Sequence, residues 1–204
     1  MKSSNTLFAI IVLGLILVQA LLIFCAWIFC ALYPTVYIRS LLSEDGIRWL
    51  FSTCVENLLS PLLIWIIMFG VSIGVFMKSG FRNVCRNKHD KQIEYRKNFS
   101  FYLSVVVALI LLLGYLFLSF APHAILVGVT GSLYPSAFSF SIVPFCAFIL
   151  FIVSTVYGFS SGIISDLGSW MDSMRYGIQI ISPLLLIYLI GMELYKTVIY
   201  IFYL

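Results

Sequence analysis

Residues 41–80, LLSEDGIRWLFSTCVENLLSPLLIWIIMFGVSIGVFMKSG, join an amphipathic segment, an apolar run and a positive charge in direct succession. The charged first part ends at Ser60-Pro61, and an uninterrupted apolar run then extends to Met77. Lys78 opens the most basic part of the chain. This order is typical of an interfacial element that leads into a membrane span with a cytoplasmic end.

The first half of this stretch has the signature of a short amphipathic helix. Ser43 is a good N-cap, and Glu44 and Asp45 place negative charge in the first turn. Apolar residues then recur at helical spacing from Ile47 to Leu59. The pattern fits a helix that lies in the membrane interface, and it also fits a partly re-entrant element that lines a cavity.

The composition excludes a soluble domain. The chain has 204 residues, of which 62% are hydrophobic and 10% are charged, and its mean hydropathy is +1.10. Soluble domains carry about 25% charged residues, so this chain cannot build a water-facing surface. The sequence therefore predicts an integral membrane protein in contact with the lipid bilayer.

Hydropathy predicts an all-α polytopic membrane protein, with a single membrane domain over residues 1–204. About five transmembrane helices and one interfacial amphipathic helix are expected. The predicted spans are 7–32, 58–77, 99–120, 138–158 and 177–203. The segment between the last two spans, up to Tyr176, reads as a cytoplasmic loop.

The distribution of positive charge predicts the orientation of the spans. Residues 78–97 hold seven of the twelve Lys and Arg residues: Lys78, Arg82, Arg86, Lys88, Lys91, Arg96 and Lys97. The positive-inside rule makes this loop cytoplasmic, with the N-terminus inside and the C-terminus outside. The net charge of +4 is thereby explained without a nucleic-acid partner.

Glycines spaced four apart are the candidate helix-packing residues. Gly70 and Gly74 lie within the second predicted span, and Gly158 and Gly162 lie at the end of the fourth. Such spacing lets helix backbones approach closely in a membrane, where apolar burial against lipid offers no driving force.

Glu193 and Lys196 are weak candidates for a substrate site, because they are the charged residues within the last apolar run. At a spacing of three residues they share one helix face and could neutralise each other. A purely structural pair, with Lys196 reaching the interface, is the alternative.

Enzyme, metal and cofactor chemistry are not expected. The five cysteines show no C-x-x-C spacing. The sequence lacks a metal-ligand cluster, a glycine-rich phosphate loop after a strand, and a nucleophile paired with a base. We therefore expect no catalytic residue, no metal and no cofactor.

Two blocks of the chain resemble the AbgT (aminobenzoyl-glutamate transporter) family. The first is SLLSEDGIRWLFSTCVENL at residues 40–58, followed by the apolar helix that ends GVFMKSG. The second is GSLYPSAFSFSIVPFCAFILFIVSTVYGFSSGII at residues 131–164. The blocks stand in the family's order, and with the continuation through Ser182-Pro183 into the last span they cover well over half of the chain.

The resemblance implies a transport-related protein of the bacterial cytoplasmic (inner) membrane. The two re-entrant hairpins whose polar tips form the family's substrate site have no counterpart here, so no family ligand residue is carried over. We therefore expect a scaffold or accessory subunit that forms a homo-oligomer or joins a partner membrane subunit. The alternative is a small homo-oligomeric transporter of aminobenzoyl-glutamate-like or sulfonamide-like aromatic carboxylates or antimetabolites.

Overall fold

The computed structural model of the chain describes residues 2–33, 38–81, 94–120 and 136–202. Within these ranges the chain forms α-helices and no β-strand. The helices are α1 (Lys2–Leu32), α2 (Glu44–Leu58), α3 (Pro61–Lys78), α4 (Glu94–Phe120), α5 (Ala137–Ser161) and α6 (Leu167–Phe202). All except α2 are long and apolar enough to cross a membrane, which confirms the predicted all-α polytopic class.

The start of α2 and the turn from α2 to α3 are both set by residues that cap or end helices. The Ser43 hydroxyl accepts a hydrogen bond from the Gly46 amide at 3.2 Å and caps α2. Leu59 has an extended backbone that ends the helix, and Pro61 then opens α3, where its missing N–H is not needed. The second candidate span therefore begins at Pro61, and Leu58 belongs to α2 rather than to that span.

Two helices extend beyond the apolar runs that predicted them. Helix α4 begins at Glu94, within the predicted basic loop. Helix α6 begins at Leu167, so the prediction of a loop up to Tyr176 is wrong for its second half. Both extensions are polar, and a hydropathy pattern does not distinguish a solvated helix from a loop. The predicted loop segments 82–93 and 121–135 lie outside the described residues.

The chain divides into two compact units. The first unit contains Met1–Ile64 and Ser182–Leu204. Its core is a small cluster of Ala26 from α1, Leu41 before α2, and Tyr200 and Ile201 near the end of α6. The backbone of Arg39 also donates to the Ile201 carbonyl at 3.3 Å.

The second unit is Trp65–Ile181. Its buried apolar side chains include Val75 of α3, Ala147 and Tyr157 of α5, and Ile164 in the turn before α6. The rings of Phe81 and Tyr157 lie at right angles, with centroids 5.1 Å apart. This aromatic contact lies at the end of the unit where the polar helix extensions begin.

Candidate functional site

In the second unit, α3 and the first part of α6 approach each other through glycine. A Cβ added at Gly74 would overlap the backbone of Gly177, and one added at Gly177 would overlap the Gly70 carbonyl. Gly70 itself lies against the side chain of Ile181. The contact therefore requires glycine on both helices, and Gly177 is the member that the spacing argument did not identify.

A serine links α3 to α5 in the same unit. The Ser72 hydroxyl lies 2.7 Å from the Met68 carbonyl of its own helix and 2.7 Å from the Ala147 carbonyl of α5. Both Ser72 and Ala147 are buried. Small residues on α3 thus contact two neighbouring helices: glycines contact α6, and Ser72 contacts α5.

Gly158 and Gly162 end a helix rather than forming one continuous contact stripe. Gly162 has a left-handed backbone, with φ of 76°, and is the C-cap of α5. The Ile164 amide donates to the Gly158 carbonyl at 3.0 Å, which closes the turn. Gly158 packs against Ile164, and the guanidinium of Arg96 lies beside Gly162.

Charged residues of the second unit gather around this turn. Arg96 Nε donates to the Ser160 carbonyl at 3.1 Å, a favourable position for a cation at a helix C-terminus. Lys78 lies 4.7 Å above the ring centroid of Tyr176, and Asp172 pairs with Arg175 at 3.3 Å. These exposed groups are those of a solvated helix end.

Asp166 precedes α6 and caps its first turn. Hydrogen bonds from the Ser165 and Ser169 hydroxyls, and from the Ser169 and Gly168 amides, hold the pKa of this carboxyl below its ordinary value. The Asp166 carbonyl accepts from the Trp170 amide at 3.2 Å. The cap explains why a polar stretch begins a helix here.

In the first unit, α2 lies lengthwise along the second half of α6. The rings of Trp49 and Tyr200 stack with centroids 4.3 Å apart. At the other end, the Tyr188 hydroxyl lies 2.6 Å from the Ser60 hydroxyl and donates to the Leu58 carbonyl at 3.0 Å. These contacts place α2 beside the second half of α6.

The two ends fix an antiparallel register between α2 and α6. Thr53 and Asn57 follow Trp49 at intervals of four residues, and the Asn57 amide donates to the Thr53 hydroxyl at 3.1 Å. Asn57 is buried.

Glu193 and Lys196 are both half-buried on α6. In the part of the chain that the structure describes, neither takes part in an ion pair, so the predicted mutual neutralisation is not observed. Thr197, beside Lys196, is 1% exposed, and its hydroxyl has no hydrogen-bond partner.

Among the described residues, no group of three or more His, Cys, Asp or Glu side chains is placed to hold a metal ion. Cys25, Cys30, Cys54 and Cys146 are free thiols.

Comparisons of the chain with protein-family models, with curated proteins and with solved structures found no match. The helical membrane class therefore rests on the sequence and the fold, and the family resemblance stays a prediction.

Proposed function

We propose that the chain is a transport-related membrane scaffold or accessory subunit, similar to the helical framework of the AbgT family and without a substrate site of its own. The observation that carries this proposal is the close contact of Gly70 and Gly74 with Gly177. Such a contact holds two spans in a fixed arrangement, which is what a framework requires of its helices.

The exposed surface of the spans supports an assembly role. Within the most apolar 18-residue window of each candidate span, the buried share runs from 0% in α1 to 22% in α3. Most of this surface is therefore left for lipid or for other helices. We propose that a second copy or a partner membrane subunit covers part of it.

Counting subunits tests the scaffold role. Protein carrying one dye per chain is reconstituted into nanodiscs wide enough for several copies, and photobleaching steps are counted. The proposal expects two or more steps, or a single copy that gains a second membrane subunit when isolated from its native membrane. A chain that is strictly monomeric in both preparations contradicts it.

The proposed location is the bacterial cytoplasmic membrane, with the N-terminus inside and the C-terminus outside. Seven of the twelve basic residues lie within residues 78–97, which supports a cytoplasmic loop there. Fusion of alkaline phosphatase after residue 204 tests the orientation, since this enzyme folds only outside. A fusion of green fluorescent protein at the same place should be dark after export.

The second candidate is a small homo-oligomeric transporter of aromatic carboxylates, and one observation favours it. Glu193 and Lys196 are half-buried without an ion pair, next to the unpartnered hydroxyl of Thr197. Ionisable residues in an apolar span are costly and count by default as candidates for function. The site would lie between protomers, with Lys196 towards the substrate carboxylate and Glu193 as the proton-linked group.

Flux separates the two candidates. Proteoliposomes are loaded with labelled aminobenzoyl-glutamate, and efflux is followed with and without a proton gradient. The transporter candidate requires flux that Glu193→Gln abolishes and that Glu44→Gln, at an exposed position, leaves intact. Absence of flux from the wild-type chain removes the transporter candidate and leaves the scaffold.

A further inference from the structure

A cavity of about 200 Å³ lies in the second unit, where the end of α3 meets the start of α6. Six residues line it: Lys78, Ile163, Ile164, Ser169, Asp172 and Ser173. Both helices are candidate membrane spans, and the cavity lies at their polar ends. It is smaller than the clefts of roughly 300–1,000 Å³ that hold drug-sized molecules, so a small polar group suits it better.

The cavity is lined by one charged side chain of each sign. Lys78 Nζ lies 4.7 Å above the ring centroid of Tyr176. Asp172 Oδ1 pairs with Arg175 at 3.3 Å, and Arg175 is not part of the lining. In the ranges that the structure describes, Lys78 pairs with no carboxylate. The Lys78 ammonium and the Asp172 carboxylate thus border the same space without neutralising each other.

The other charged groups around the cavity have partners of their own. Arg96 Nε donates to the Ser160 carbonyl, and the Asp166 carboxylate accepts from the Ser165 hydroxyl at 2.9 Å. A ligand in the cavity therefore meets one cation and one anion. An ion of a single sign would be repelled by one of the two, whereas a zwitterion matches both.

The order of the two charges matches that of a phospholipid headgroup. Lys78 lies at the ring of Tyr176, where the apolar part of α6 begins, and Asp172 precedes Tyr176 by one turn, about 6 Å farther out along the helix. In a zwitterionic phospholipid the phosphate is next to the glycerol and the ammonium is beyond it. Ile163, which is 46% exposed, gives the cavity an apolar wall.

We propose that this cavity binds the headgroup of phosphatidylethanolamine. Its phosphate contacts the Lys78 ammonium, its primary ammonium donates to the Asp172 carboxylate, and its acyl chains stay in the bilayer. The quaternary ammonium of phosphatidylcholine has no N–H and cannot donate in this way. The inference does not depend on the scaffold role, because a single copy of the chain contains the whole cavity.

Three dioleoyl phospholipids test the headgroup. Phosphatidylcholine keeps both charges of phosphatidylethanolamine but lacks its N–H donors, and phosphatidylglycerol keeps only the negative charge. Native mass spectrometry of the whole chain in detergent gives the dissociation constant of each lipid. We expect phosphatidylethanolamine to bind more tightly than either of the others by about two- to fivefold, the value of one exposed polar contact.

Three variants locate the site. Asp172→Asn should abolish the preference for phosphatidylethanolamine over phosphatidylcholine, whereas Glu44→Gln, at an exposed position of the first unit, should retain it. Lys78→Gln should weaken binding of all three lipids by about two- to fivefold, because each carries the phosphate. Asp172→Lys leaves two cations at the cavity, so phosphatidylglycerol should become the tightest ligand. A damaged fold would not produce such a gain.

Four results overturn the proposal. The first is equal binding of phosphatidylethanolamine and phosphatidylcholine to the wild-type chain, and the second is tighter binding of phosphatidylglycerol to that chain. The third is a folded Asp172→Asn variant with the same lipid preference as Glu44→Gln. The fourth is displacement of phosphatidylethanolamine by an equal concentration of soluble glycerophosphoethanolamine, which would assign the cavity to a soluble zwitterion instead of a lipid.

Discussion

Gly74→Ala should push α3 and the first part of α6 apart. The new Cβ would lie 2.5 Å from the Ser173 carbonyl oxygen, about 1 Å inside the 3.5 Å at which atoms make favourable contact. It would also overlap the backbone of Gly177, which cannot rotate away as a side chain could. Moving the helices apart by about 1 Å forfeits up to about half of the dispersion energy of each contact atom pair.

The resulting loss of stability is about 1–3 kcal/mol, the usual cost of overpacking a close contact. For a chain of this length that corresponds to a fall in Tm of about 2–4 °C for each kcal/mol. Thermal unfolding of the purified chain in nanodiscs, followed by helical circular dichroism, measures it.

The control for this measurement is Gly14→Ala. Both substitutions raise helix propensity, but a Cβ at Gly14 meets nothing within 4 Å. The difference between the two variants therefore isolates the helix contact from propensity. If Gly74→Ala unfolds at the same temperature as Gly14→Ala, or above it, the close approach at Gly177 does not exist in the protein.

Three further variants test contacts within single units. Tyr188→Phe removes two hydrogen bonds to the α2–α3 turn. It should lower the free energy of unfolding by about 0.6–1.7 kcal/mol, the range measured for polar contacts between membrane helices. Its control, Tyr195→Phe at an exposed position, should leave the free energy of unfolding unchanged. Ser72→Ala breaks the bond from α3 to α5 and should lower Tm more than Ser104→Ala, whose hydroxyl bonds only within its own helix. Asp166 has a pKa below its ordinary value, so its stabilising effect is complete above about pH 5 and is lost as pH falls through the lowered pKa. The Tm of the wild-type chain should therefore fall relative to that of Asp166→Asn between pH 5 and pH 3. A constant difference in Tm across that range would show that ionisation of the Asp166 carboxyl does not stabilise the fold.

The sequence predicted the parts of the fold that depend on local chemistry. Hydropathy located the five long helices, and Ser43 caps α2 as predicted, whereas α3 begins at Pro61, three residues after the predicted start of the second span at Leu58. The polar start of α6 was missed because Asp172 and Arg175 resemble a solvated loop. In the structure they form an i,i+3 pair on a helix that Asp166 caps.

The contacts between helices were less accessible to sequence reasoning. Spacing alone marked Gly70 and Gly74, but their partner Gly177 lies in another helix with no motif around it. The hydrogen bonds of Tyr188 depend on a register that only the folded chain defines. Conversely, Glu193 and Lys196 have the right spacing to neutralise each other, yet in the described structure they do not pair.

The lengthwise contact of α2 with α6 has a consequence for how the chain is made. The hydrogen bonds of the Tyr188 hydroxyl with Ser60 and Leu58 join residues that are 128 and 130 positions apart, and the partners of Trp49 and Arg39 are Tyr200 and Ile201. During synthesis at about 5–20 residues per second, Tyr200 therefore follows Trp49 by about 7–30 seconds. The contacts of α2 in the first unit can therefore form only after the chain has been made as far as Ile201.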